Sequence, residues 1–288
     1  MRFWYLLFLL FPLQPVIAAA PSGKLLIFHA GSLSVPVREL KAAFMKKYPG
    51  LTMLGEAAGS VESARKISDL GRVCDVFLSA DQDIIGKFLI PDHATWKKPF
   101  ARNEMVVAYR SSSRRADRIT SKNWHEILLE PTVRFGRADP NADPCGYRSI
   151  FVMKLAEDHY KVPGLAMRLA AKDVKYIRPK EIDLLSLLEL GEIDYMFIYK
   201  SVAFQHGLKW VTLPRGINLG APALAAGYAK ASTSITGRKP GELISKNGAP
   251  IVYGATIPTR APNPVAAREF MNFLLGPEGR EIMKKNGH

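Results

Sequence analysis

Cysteine is nearly absent: Cys74 and Cys145 are the two in 288 residues. That is too few for a disulfide framework, which excludes a small cross-linked scaffold, and free thiols are the expectation. Acidic residues are also in deficit, 26 against 40 Lys and Arg, leaving a formal charge of +14. Yet the basic residues come at most in adjacent pairs, such as those at 46–47, 97–98, 114–115 and 284–285. A basic tail is therefore excluded, and each pair reads as solvated surface. Beyond residue 20 there is no apolar stretch of the ~20 residues that a bilayer-spanning helix needs. Internal repeats and low-complexity tracts are missing as well, which excludes solenoids. The apolar share of 48% and charged share of 23% exclude wholesale disorder.

What is present begins with a leader. Arg2 precedes an almost continuous apolar run over 3–13, and Ala18, Ala19 and Ala20 supply the small residues of a cleavage site. This pattern predicts a signal peptide over 1–20, removed on export to an extracytoplasmic or periplasmic location. Loss of Arg2 leaves +13, 39 basic against 26 acidic residues. Export argues against nucleic acid as the partner of that charge.

The mature chain alternates between the two periodicities. Apolar 25–29 reads as a strand, and Val37, Leu40, Phe44 and Tyr48 share one helical face that Pro49-Gly50 ends. A strand over 52–56, a helix carrying Val61, Ala64, Ile67 and Leu70, and a strand over 73–79 follow. This βαβαβ order predicts an α/β fold with a largely parallel sheet. A second set has strands at 105–109, 133–136, 174–177 and 195–199, with helices over 143–156 and 181–190. A strand over 250–257 and a helix over 264–275 close the chain, and 230–248, rich in Ser, Thr, Gly and Lys, reads as a surface loop.

Four segments bring small or acidic residues to a helix start: 29–32 (HAGS), 57–60 (AAGS), 143–146 (DPCG) and 178–181 (RPKE). Helix N-termini expose unpaired N–H groups and a partial positive charge, which suits oxyanions. Taken singly, each is more often an ordinary cap, as Asp143 followed by Pro144 illustrates. Two Gly-Ser pairs in one half and two acidic starts in the other suit a cleft between two lobes.

The same segments, with 76–81 (VFLSAD), 101–109 (ARNEMVVAY), 139–149 (DPNADPCGYRS), 197–206 (FIYKSVAFQH), 217–220 (INLG) and 246–258 (KNGAPIVYGATIP), closely resemble the exported molybdate/tungstate-binding proteins of ABC uptake systems. The resemblance runs in order over nearly all of the mature chain, which is shorter than many such proteins between His159 and Lys175. It implies a two-lobed periplasmic-binding fold of type II with two strands crossing at the hinge. The first lobe would take 24–105 and 256–288, the second 106–255. Carried over motif by motif, Gly31, Ser32 and Ser60 bind oxyanion oxygens from the first lobe. Asp143, Pro144, Cys145, Glu181 and Tyr199 do so from the second. Asp143 and Glu181 then act as oxygen ligands to the Mo or W centre itself. The implied partners are the oxyanion, an ABC permease and its ATPase, with the binding protein a monomer and no cofactor.

Two carboxylates beside an anion repel it unless the anion's centre is electron-poor and large enough to take them as ligands. Mo(VI) and W(VI) meet that condition and sulfur does not, which gives a physical route to discrimination. Another tetrahedral oxyanion such as sulfate or phosphate is the nearest alternative. An exported hydrolase is a remoter one: there is no G-x-S-x-G elbow, and His125-Glu126 lacks the later His of H-E-x-x-H. A sugar site would place aromatics at the cleft, but Trp96, Trp124 and Trp210 lie away from all four helix starts in sequence.

Overall fold

The computed structural model describes residues 20–237, 239 and 241–288; the expected leader, apart from Ala20, lies outside them. The strands of the first half are β1 (Gly23–Ala30), β2 (Leu51–Ala58), β3 (Val76–Ser79), β4 (Lys98–Arg102), β5 (Met105–Tyr109) and β6 (Phe135–Ala138). Those of the second are β7 (Ile177–Arg178), β8 (Tyr195–Tyr199), β9 (Lys209–Thr212), β10 (Ser232–Thr236), β11 (Leu243–Asn247) and β12 (Val252–Thr256). Two five-stranded sheets, ordered β2-β1-β3-β12-β4 and β7-β6-β8-β5-β9, form the cores of two lobes. The protein has the two-lobed periplasmic-binding fold.

β1 pairs in parallel with β2 along its whole length, from Gly23 opposite Leu51 to Ala30 opposite Ala58. The intervening helix Ser34–Lys47 buries Val37, Leu40 and Phe44, three of the four positions that the helical spacing picked out. Phe44 packs edge-on to Phe270 of the helix Pro264–Leu275, with ring centres 5.4 Å apart. Burial of such side chains supplies the main stabilisation, about 1.5–3 kcal/mol each.

The chain crosses between the sheets at 103–104 and returns at 248–251, just ahead of β12. The crossings are tied together where Asn103 N donates to the Ile251 carbonyl at 3.4 Å, Ile251 N to Leu219 at 2.8 Å and Met105 N to Asn218 at 2.8 Å. Asn103 is buried and donates from Nδ2 to Ser201 Oγ (2.8 Å) and the Tyr253 hydroxyl (3.2 Å).

Three local expectations give way. The stretch 174–177 is a tight turn at Val174–Tyr176 with only Ile177–Arg178 extended, because Asp173 takes a left-handed backbone (φ 59°) that breaks the strand. The helix expected from 181 starts at Asp183, leaving Glu181 in the turn before it. The expected loop over 230–248 contains the antiparallel hairpin β10–β11, with Ser232 opposite Asn247 and Thr236 opposite Leu243. Its alternation is polar-on-polar, so hydrophobic periodicity carries no signal there.

The second lobe delivers its main functional helix, Pro144–Tyr160, directly from β6. Gly146 lets that helix's first turn lie on the 138–140 segment: a Cβ there would sit 2.6 Å from the Ala138 carbonyl oxygen and 2.5 Å from Pro140 N. Both neighbours are backbone and cannot swing aside. Gly146→Ala is expected to destabilise the protein by about 1–3 kcal/mol through overpacking, despite Ala's better helix propensity. Urea denaturation showing wild-type stability would contradict this.

Candidate functional site

The first lobe reaches the site with two turns. β1 ends at Ala30 and runs into the short helix Gly31–Leu33, which buries Ser32. Ser32 Oγ accepts from the Tyr253 hydroxyl at 3.0 Å. β2 ends at Ala58, and Gly59 caps the helix Ser60–Ser68. Ser60 is fully buried, and its Oγ accepts from Ala80 N at 2.9 Å.

The second lobe supplies the acids. Asp143 is the N-cap of the helix Pro144–Tyr160, with Pro144 at its first position. Asp143 Oδ1 accepts from Cys145 N at 2.8 Å, and Oδ2 accepts from Glu181 N at 3.1 Å. The cap thus joins the two acidic segments. The Cys145 thiol points away, donating to the Phe197 carbonyl at 3.7 Å. The carboxyl of Glu181 is wholly buried against the side chains of Asp143 and Ser32, and neither of its oxygens makes a hydrogen bond of ordinary geometry. It faces Gly31 across the lobes: a Cβ on Gly31 would lie 3.1 Å from Glu181 Oε2. Burial pushes the Glu181 carboxyl well above its usual range, and the neighbouring Asp143 pushes it further the same way. Burial also raises Asp143.

The lobes meet here. The Ala142 carbonyl accepts from both Val61 N and Glu62 N, each at 3.1 Å, so the first turn of Ser60–Ser68 is spanned by second-lobe backbone. Tyr199, at the end of β8, is buried with its hydroxyl accepting from Arg148 Nη1 at 2.7 Å. Its ring lies 5.9 Å from that of Tyr253, the partner of Ser32. The structure therefore gathers Gly31, Ser32, Ser60, Asp143, Pro144, Cys145, Glu181 and Tyr199 into one buried interlobe locus.

Each serine oxygen accepts a hydrogen bond, Ser32 Oγ from the Tyr253 hydroxyl and Ser60 Oγ from the Ala80 amide. His29, two residues before Gly31, turns Nδ1 to the Ala30 carbonyl at 2.9 Å. Among the described residues no group of three or more His, Cys, Asp or Glu is placed to hold a free metal ion. Such a site suits an anion bound through backbone and hydroxyl donors on one side and carboxylate oxygens on the other.

Sequence reasoning did not single out Tyr253, Arg148, Asp81 or Lys246. All four sit inside the motif strings quoted above, yet nothing local marks them as meeting one another. Lys246 lay in the expected loop, where a lone lysine is normally solvated.

The chain matches the model of the bacterial extracellular solute-binding proteins over residues 25–288. It belongs to that family. A solute-binding protein of Petrotoga mobilis is 52% identical over 267 residues, covering 92% of this chain and 83% of its own. The molybdate/tungstate-binding protein WtpA of Pyrococcus abyssi is 42% identical over 92% of this chain and 84% of its own. Among solved structures, the periplasmic molybdate-binding protein of Azotobacter vinelandii superposes with a TM-score of 0.66 at 18% identity, over 91% of this chain and 97% of that one. That likeness concerns the fold. As a member of that family this chain is a solute-binding protein, and among the described residues no helix is long and apolar enough to cross a membrane.

Proposed function

We propose that this solute-binding protein captures molybdate or tungstate between its lobes and delivers it to an ABC permease driven by an ATPase. The observation that carries this reading is the Glu181 carboxyl, buried beside Asp143 with neither oxygen in a hydrogen bond of ordinary geometry. Burying an unsatisfied acid costs free energy, on the order of 1–3 kcal/mol or more. The cost is offset when an electron-poor centre accepts oxygen ligands. Mo(VI) or W(VI) with four oxo groups reaches six-coordination by taking one oxygen each from Asp143 and Glu181. Ser32, Ser60 and nearby backbone N–H groups then address the oxo edge. On this reading the first lobe runs over 24–105 and the second starts at 106, while the return expected at 255–256 moves to just ahead of β12, because β12 pairs with β3 and β4 in the first sheet. The leader is cleaved near residue 20, and the mature protein works as a periplasmic monomer.

Ligand is expected to stabilise the folded protein by roughly 4 kcal/mol at a thousandfold excess over its dissociation constant. Thermal unfolding with molybdate, tungstate, sulfate and phosphate in parallel reads this directly. Molybdate and tungstate should raise Tm strongly, and sulfate and phosphate little. Equal stabilisation by sulfate would remove the case for carboxylate coordination and favour a general oxyanion receptor.

A further inference from the structure

Beside the site the lobes are joined by a buried ion cluster made of residues with no part in ligand coordination. Asp81 follows β3 in the first lobe, and its Oδ1 accepts from Asp83 N at 2.9 Å as a cap. Its Oδ2 is met from two other pieces of the molecule. Lys246 Nζ, on β11, lies 2.8 Å away, and the Tyr147 hydroxyl, on the helix Pro144–Tyr160, donates at 2.5 Å. Arg148 Nη2 stands 3.8 Å off. Asp81, Tyr147, Arg148 and Lys246 are all buried. Burial alone would raise the Asp81 carboxyl, but Lys246 and Arg148 override it and hold that group well below the usual carboxylate range.

Arg148 does more than neutralise. Its Nη1 donates both to the Ala80 carbonyl of the first lobe at 2.8 Å and to the Tyr199 hydroxyl at 2.7 Å. The hairpin that carries Lys246 also bridges the lobes. Arg65 and Lys87 of the first donate to the carbonyls of Thr236 (2.7 Å) and Ser245 (2.8 Å). From the second, Lys154 donates to the Ser232 carbonyl at 2.5 Å, and Asn141 Oδ1 accepts from Thr236 N at 2.9 Å.

Separating the lobes pulls Asp81 away from Tyr147 and Arg148, so these contacts belong to the closed arrangement alone. We propose that Asp81, Arg148 and Lys246 form an interlobe clasp that sets how long the closed protein retains its cargo, with Arg148 the positioning residue for Tyr199. This rests on the oxyanion reading above and adds the groups that govern release. Contacts made only after closure act on the dissociation rate more than on encounter. Their burial distinguishes them from surface pairs, which contribute little.

The test is release of bound molybdate chased by excess tungstate, with association measured alongside. Asp81→Asn keeps the size and the capping oxygen while removing the charge, and Lys246→Met keeps the apolar stem. Each is expected to release roughly 10–100-fold faster, with association changed only a few-fold. The double variant should be no faster than the worse single, since both remove one contact. Arg148→Met should also release fast, and Arg148→Lys, which restores the charge, should recover most of the retention. Wild-type release in Asp81→Asn and Lys246→Met, or a double variant equal to the product of the singles, overturns the clasp. If Lys246→Met proves unfolded by its ligand-free Tm, Asp81→Asn alone decides. Failure of the wild type to bind either oxyanion would sink the functional reading instead. The clasp is then read without cargo, from the distance between spin labels on the two lobes: Asp81→Asn should be more open than wild type, and an unchanged distance overturns it.

Discussion

Glu181→Gln is expected to leave the ligand-free protein at least as stable as wild type while weakening molybdate and tungstate binding by at least about a hundredfold. The two effects have different origins. Glu181 is buried with no ordinary hydrogen bond to either oxygen and stands beside Asp143, so a neutral amide of the same shape relieves a charge that the fold does not need. Losing a charged oxygen ligand costs more than the ~10–100-fold typical of an outer-shell change. The sign of the pH dependence follows. Burial, then Asp143, raises the Glu181 carboxyl above its ordinary 4.5, so the folded protein binds that proton more tightly than the unfolded chain does. Stability from this group is full below pH 4.5 and is lost as pH rises toward the folded value. The advantage of Glu181→Gln over wild type should therefore grow as pH rises from about 4.5, as denaturation at a series of pH values would record. Asp143→Ala behaves differently. It too loses binding, but it also removes the acceptor for Cys145 N and Glu181 N, costing about 1–2 kcal/mol as a lost cap. A Glu181→Gln variant that binds both oxyanions like wild type would remove Glu181 from the ligand set.

Most of the architecture was legible because periodicity and caps are local properties. The strand Tyr195–Tyr199 and the helix Pro264–Leu275 fall where their patterns put them, and Asp143-Pro144 announced its helix start by the chemistry of capping. The Gly-Ser turns were readable as possible donors, but one turn does not say what it faces. That Gly31 looks onto Glu181, or that Tyr253 reaches Ser32 across 221 residues of sequence, is fixed by how the lobes come together. The hairpin at 232–247 was hidden for another reason: it buries only Ile235 and Lys246 along its two strands, so its polar sequence resembles a loop. Lys246 is buried because Asp81 receives it, a pairing that no local pattern encodes. The +14 of the whole chain likewise divides by position: most of it is exposed and suited to steering an anion, an effect that salt weakens, whereas Arg148 and Lys246 are interior and structural.

Gly59→Ala should give a folded protein whose lobes cannot close. The local backbone tolerates alanine, since φ is −58° and ψ 143°, and an Ala in place of a Gly cap costs no more than about 1 kcal/mol. The obstacle lies in the other lobe. A Cβ on Gly59 would drive into the Ala142 carbonyl, lying 2.8 Å from its carbon and 3.1 Å from the Pro179 oxygen. These are backbone atoms of the two segments that carry Asp143 and Glu181, so no side chain can rotate to make room. Relief comes only by holding the lobes apart. That breaks the paired bonds from Val61 N and Glu62 N to Ala142 and takes both acids away from the serines. If the closed form falls to about one molecule in a hundred, apparent affinity falls about a hundredfold. The diagnostic combination is weak binding, a near-normal unfolding midpoint without ligand and a larger radius of gyration in solution scattering that oxyanion fails to reduce. Wild-type affinity in Gly59→Ala would mean that capture does not require the approach of Gly59 to Ala142.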